Sequence, residues 1–84
     1  MEIYCGNLPF ICSESDVAVL FRPFGILART TVVRDKFTGK SRGFAFVTIE
    51  DEDNARAAIL ALNGSEYRGR VLKVGPAKPE REFG

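Results

Sequence analysis

The sequence predicts an α+β fold: a four-stranded antiparallel sheet with two helices on one face, in the order β-α-β-β-α-β. Three observations predict it. Four stretches carry strand patterns, "MEIYCG", "LARTTVVRD", "RGFAFVTI" and "RVLKVGP". Two further stretches, one after the first strand and one after the third, carry apolar residues at helical spacing. Two helices can cover only one face of a four-stranded sheet, which leaves the other face open to water. This arrangement is the ferredoxin-like, or split βαβ, sandwich. A chain of 84 residues holds one such domain and one core. Apolar content of 45% with 27% charged residues is a globular composition.

Each element has a local reason. In the first strand Ile3 and Cys5 fall on one face, Tyr4 and Gly6 on the other. "PFIC" is a loop. Ser13 with Asp16 three residues on fits a capping box and opens the first helix. Its apolar residues are Val17, Leu20, Phe21 and Phe24. Pro23 cannot lie deep inside a helix, so the helix ends near Phe21 or Arg22 and Gly25 closes it. The second strand is β-branched, but its faces are less clean. Ala28, Thr30 and Val32 share one parity; Arg29, Thr31 and Val33 share the other. "KFTGKS" is a turn around Gly39, shaped by Asp35 and Thr38.

The third strand alternates Phe44, Phe46 and Thr48 with Ala45, Val47 and Ile49. Asp51 or Asp53 caps the second helix, with further acid in its first turn favoured by the helix dipole. Ala55, Ala58, Ile59 and Leu62 form its apolar stripe, and Asn63-Gly64 stops it. The fourth strand puts Leu72 and Val74 on one face and Val71 and Lys73 on the other, and Pro76 ends it. Residues 1–77 are expected to form the domain and 78–84 a flexible C-terminal tail.

Composition narrows the function. No apolar run approaches the ~20 residues of a membrane span, and no N-terminal stretch has the charged-then-apolar form of a signal peptide. Cys5 and Cys12 read as a buried strand thiol and a loop thiol in a reducing compartment. The expected location is therefore intracellular: the cytoplasm, or the nucleus in a eukaryote. Two cysteines and no histidine cannot supply the four ligands of a structural zinc site, nor an iron–sulfur cluster. No serine or cysteine has an evident base, and no carboxylate pair is placed for acid–base work, so an enzyme is not expected, and no cofactor.

Net charge is +1, which by itself does not point to nucleic acid. The layout is more informative. Acid is dense from Glu50 to Asp53; base is dense from Arg29 to Arg42 and returns at Arg68, Arg70 and Lys73. If the aliphatic faces lie under the helices, the open face carries Tyr4, Phe44, Phe46, Val71 and Lys73. An exposed aromatic cluster on a small domain marks a binding surface. The alternative is that these rings are buried by the tail, where Phe83 is available, or by a second copy of the chain.

The motifs carry a resemblance. "IYCGNL" at 3–8 and "RGFAFVTI" at 42–49 resemble the two ribonucleoprotein motifs of the RNA recognition motif family. The longer motif is K/R-G-F/Y-G/A-F-V-x-F/Y, matched at Arg42, Gly43, Phe44, Ala45, Phe46 and Val47. It departs at Ile49, which by parity points into the core. "NLPF", "LFRPFG", "ALNG" and "GRVLKV" also stand where the family has similar runs. The chain is most similar to small single-domain RNA-binding proteins of plants, cyanobacteria and other bacteria.

The resemblance implies a single-stranded RNA-binding module. Bases would stack on Tyr4 and Phe46, with Phe44 against sugars between them. Arg42 would contact a phosphate through its fixed forked donors; Lys40 and Lys36 in the preceding loop would add charge or serve as ordinary loop lysines. Lys73 would reach a base edge or phosphate, and Arg29 and Thr31 would line the second strand's share of the surface. The segment Gly75 to Lys78 would add backbone contacts. Asn7 reads as structural, holding the strand end. The acidic run at 50–53 reads as a solvated helix start away from the RNA.

The partner expected is single-stranded RNA. Single-stranded DNA stays open as a second ligand, because stacking and phosphate contacts do not distinguish the two. A monomer is expected. The rival reading is a protein-interaction module on the same fold. Family members used that way commonly lack the sheet aromatics, whereas this chain keeps all three; its net charge near zero is the best argument for that reading.

Overall fold

The stretch with the cleanest alternation is at the heart of the sheet. The computed structural model describes residues 1–77. In chain order the elements are β1 (Glu2–Gly6), α1 (Glu14–Phe21), β2 (Leu27–Arg34), β3 (Ser41–Ile49), α2 (Glu52–Leu62), β4 (Glu66–Tyr67), β5 (Arg70–Val71) and β6 (Lys73–Pro76). The main sheet runs β2-β3-β1-β6, with each neighbouring pair antiparallel. The two motif strands are therefore the inner pair.

Both helices start as their residues dictate. The Ser13 hydroxyl accepts the Asp16 N–H, and the Asp16 carboxylate accepts the Ser13 N–H at 3.0 Å. Asp51 caps α2 by accepting the Asn54 N–H at 3.0 Å. A 3-10 turn over Arg22–Phe24 takes Pro23 near its start, and Gly25, at φ 145°, turns the chain into β2. In α2 the buried residues are Ala55 and Ala58; small side chains let this helix lie close to the sheet. Asn63 ends α2 and ties it to the sheet, its Oδ1 accepting the Val74 N–H at 3.0 Å.

One core lies between helices and sheet. Ile3, Cys5, Ala45, Val47, Ile49, Leu72 and Val74 meet Val17, Phe21, Ala55 and Ala58 there. Phe21 is the largest fully buried side chain, and truncating a buried phenylalanine costs about 3–5 kcal/mol. Ile49, the residue that departs from the family motif, is fully buried. Both cysteines are buried and free. Burial, followed by the neighbouring Cys12, pushes the Cys5 thiol up to about 12.

Two features differ from the sequence expectation. The β2 faces are unclear in sequence because β2 is bulged. Leu27 pairs with Ile49 but Arg29 pairs with Thr48, so Ala28 is the extra residue. Leu27 and Arg29 share a parity yet lie on opposite faces. The second difference is at the C-terminal end. "RGRVLKVGP" is not one strand: Arg70–Val71 pairs with Glu66–Tyr67 in a separate two-stranded hairpin, and only Lys73–Pro76 joins the main sheet. Leu72 lies between them, bonding Ser65 and Gly64. Val71 therefore does not belong to the open face of the main sheet.

Candidate nucleic-acid interface

The register lays out the open face in rows. Thr31, Phe46, Tyr4 and Gly75 sit side by side across all four strands. Phe44, Gly6 and Lys73 form the next row, and Arg29, Thr48 and Glu2 the row on the other side. Among the described residues no helix packs on this face. The three rings meet at its centre: Tyr4 to Phe44 is 5.7 Å between centroids, Tyr4 to Phe46 is 6.0 Å and Phe44 to Phe46 is 6.0 Å. Tyr4 is 36% exposed, while Phe44 and Phe46 are half-buried.

The rings are not coplanar. Tyr4 and Phe44 are inclined by 35°, Tyr4 and Phe46 by 62° and Phe44 and Phe46 by 88°. Flat groups stacked on Tyr4 and on Phe46 would be inclined to each other and could not stack together as in a duplex. The Tyr4 ring leans along β1 over Gly6. A Cβ at Gly6 would stand 2.7 Å from the Tyr4 Cζ, so glycine there gives the ring its seat.

Arg42 is exposed at the start of β3. The loop before it is built by Asp35, whose carboxylate accepts the Phe37 N–H at 2.8 Å and the Thr38 N–H at 3.0 Å. Those bonds, with Thr38 first, hold the Asp35 carboxyl below its ordinary range; the Arg42 charge adds to the effect. Lys36 and Lys40 are exposed in that loop. Lys73 stands beside Gly6 on the open face, and Arg29 and Thr31 are exposed on the same side. Lys78 and the tail 78–84, including Phe83, lie outside the described residues.

Asn7 is structural, as its setting implies. At φ 61° it donates from Nδ2 to the Val71 carbonyl at 2.7 Å. It accepts Arg70 through its carbonyl at 3.1 Å and its Oδ1 at 2.7 Å. The acidic residues Glu52 and Asp53 lie in α2, on the far side of the sheet.

Three residues near the open face lie outside the contacts that the resemblance implies. Glu2 shares the face with Tyr4 and lies at the end of the strands away from Lys73. Phe10, in the loop after β1, is 66% exposed and lies against Gly43. Arg70, in β5, is carried to the strand end by its bonds to Asn7. Parity alone marks Glu2; an aromatic directly after Pro9 at a strand end is a visible cue for Phe10. Arg70 depends on a contact across 63 positions of chain, which no local pattern shows. Among the described residues no group of three or more metal-ligating side chains gathers, and no helix is long and apolar enough to cross a membrane.

An open four-stranded sheet with three central rings and cations at one end defines a domain that can offer flat groups and anions a common surface. Comparison with known proteins gives it a family. The family model for the RNA recognition motif matches residues 3–73, and the chain belongs to that family. A protein of Nostoc sp. named RbpE, a candidate RNA-binding protein, is 43% identical over 84 residues, spanning 100% of this chain and 85% of its own. The crystal structure of RNA Binding Protein PG1 superposes with a TM-score of 0.90 at 44% identity, covering 95% of this chain and 99% of that one. The RRM of Rna15, solved with bound RNA (GU), has a TM-score of 0.83 at 28% identity, covering 92% and 82%.

Proposed function

We propose that residues 1–77 form a single-stranded RNA-binding module that holds RNA on the open face of the sheet. The observation that carries the reading is the ring cluster of Tyr4, Phe44 and Phe46 on a face that no helix of the described residues covers. A base stacked on such a ring contributes about 1–3 kcal/mol. Tyr4 and Phe46 each take a base, and Phe44 lies against the sugars between them. The 62° between Tyr4 and Phe46 favours a splayed single strand over a duplex. Arg42 and Lys73 take phosphate or base edges, with Lys40, Arg29, Thr31 and the Gly75–Lys78 segment as flanking contacts. Glu2 at the opposite end of the strands biases the phosphates towards the Arg42 and Lys73 end. Family membership and the RNA-bound Rna15 relative support the reading.

Two stacked bases and a few charge contacts, offset by ordering of the strand, give micromolar affinity, on the order of −8 kcal/mol. Fluorescence anisotropy with a labelled pool of random ten-nucleotide RNA tests it. Binding near micromolar, with the same pool annealed into duplex binding far more weakly, is expected. Equal binding of duplex and single strand would refute the stacking role of the rings. The same titration with DNA measures whether the 2′-hydroxyl is read.

A further inference from the structure

At the end of the sheet away from Lys73, the turn from α1 into β2 makes a corner with two grooves. One, of about 650 Å³, is lined by Ala18, Arg22 and Thr30 among others. The second, of about 520 Å³, is lined by Glu50, Asp51 and Asn54. Gly25, Ile26 and Ala28 line both and so stand between them. We propose that this corner is a self-association surface for a second copy of the chain, related by a two-fold axis. Ile26 of each copy seats in a groove of the other, and Arg22 of each meets Glu50 of the other. Tyr4, Phe44 and Phe46 line neither groove, so the proposal is independent of the RNA-binding reading.

The corner follows from constraints in the chain itself. Pro23 helps to end α1 in the 3-10 turn, and Gly25, at φ 145°, takes the chain into β2. Gly25 lies against α2: a Cβ there would stand 2.9 Å from the Asn54 Nδ2. Leu27 then packs on the core, and Ala28 is the extra residue of the bulge. Ile26, held between the glycine and Leu27, is 89% exposed and takes no part in the core. A lone exposed apolar residue calls for no explanation. Ile26 differs in standing as a knob between two grooves, each roomy enough for a side chain of its own kind.

Charge selects the occupant. Arg22 flanks the knob on one side, Glu50 and Asp51 on the other. Among the described residues neither Arg22 nor Glu50 forms an ion pair. A patch that runs base, knob, acid is complementary to itself after a two-fold rotation, which is what an isologous interface requires. A uniformly acidic or basic partner would meet like charge on one flank. The net charge of +1 adds little repulsion between copies. Side chains make the contact, not strand addition, because both sheet edges are guarded. The Glu14 carboxylate accepts the Val32 N–H at 3.1 Å and Arg34 at 2.9 Å, closing the β2 edge beyond the groove. On β6, Asn63 accepts the Val74 N–H, and Pro76 has no N–H to offer. With one knob per copy, the interface is small and the pairing weak.

Sedimentation equilibrium of the full chain without RNA, from micromolar to millimolar concentration, reads the pairing. A reversible monomer–dimer equilibrium is expected. Ile26→Asp should raise its dissociation constant at least about tenfold, from the lost apolar burial alone. Arg22→Glu and Glu50→Arg should each weaken pairing, since either homodimer sets like charges together twice. An equimolar mixture of these two variants should restore dimers, because every such pair is then of opposite sign. Arg22, Ile26 and Glu50 are exposed and outside the core, so the variants should fold, and amide spectra verify it. Dimers that survive Ile26→Asp, or a mixture no more associated than its two components, would overturn the proposal. So would a wild-type chain that stays monomeric at millimolar concentration, which would leave the corner to residues 78–84 or to another protein.

Discussion

Gly6→Ala isolates the position of one ring from the rest of the molecule. Gly6 is not among the glycines with positive φ, so the backbone accepts alanine without strain. The new Cβ would stand 2.7 Å from the Tyr4 Cζ and 2.8 Å from Cε2, where carbon atoms ordinarily rest about 3.5–4.0 Å apart. The Tyr4 ring must move by roughly 1 Å or more, and it can, because it is the free end of a flexible side chain. Folding should therefore change little: alanine in a strand is favoured over glycine by about 0.5–1 kcal/mol, which offsets the disturbed packing. RNA affinity should fall by up to the worth of one stacked base, about 1–3 kcal/mol. Gly75→Ala is the control. Gly75 lies directly opposite Tyr4 on β6, yet a Cβ there meets nothing within 4 Å. Anisotropy with single-stranded RNA and thermal denaturation read the two effects separately. If Gly6→Ala unfolds the protein, the ring is wedged rather than seated. If its ring resonances move while affinity stays at the wild-type value, Tyr4 is not a stacking surface.

Other perturbations probe the same account. Phe46→Ala should weaken RNA binding by roughly 1–3 kcal/mol with little loss of stability, whereas Phe21→Ala should cost about 3–5 kcal/mol of stability; reversed behaviour in denaturant titrations would invert the two faces. Arg42→Ala should reduce the slope of log affinity against log salt by about 0.7, the effect of one phosphate on a single strand, and an unchanged slope removes Arg42 from the phosphate contacts. The Glu14 carboxyl is held below its ordinary value of 4.5 by its own backbone N–H, then by the Val32 N–H and Arg34. Its contribution to stability is thus present above that value and lost as pH falls through the lower folded one, so Glu14→Gln should flatten that part of the acid-denaturation curve. The Cys5 thiol is raised from 9.0 to about 12; its contribution is present below 9.0 and lost as pH rises towards 12. Cys5 should therefore resist thiol reagents at pH 8 until the protein is unfolded, and prompt labelling of the native protein would contradict its burial.

The sequence made some of this legible and hid the rest for identifiable reasons. The two faces of β3 are readable because the strand alternates without a break from Phe44 to Ile49, and its partner β1 follows the same rule. The caps at Ser13 and Asp51 are readable because their bonds are local, three residues long. β2 was ambiguous because a bulge at Ala28 reverses the parity midway, so that Leu27 packs on the core and Arg29 faces the open side. The C-terminal run looked like one strand because Val71, Leu72, Lys73 and Val74 alternate well. What divides it is a set of long-range bonds: Leu72 to Ser65 and Gly64, and Val71 to Asn7. At the interface, the central rings were legible from parity and motif together. Phe10 and Arg70 were not, since their place beside the rings depends on the Leu8–Gly43 and Asn7–Arg70 bonds that close the end of the sheet.

The most direct test of the central claim is an amide-resolved NMR titration with random single-stranded RNA about ten nucleotides long. Saturable shifts centred on Tyr4, Arg42 to Phe46 and Lys73, with the outer faces of α1 and α2 unmoved, are the predicted result. No shifts at millimolar RNA, or shifts confined to the helices, would contradict it and turn the open face into a surface for protein partners.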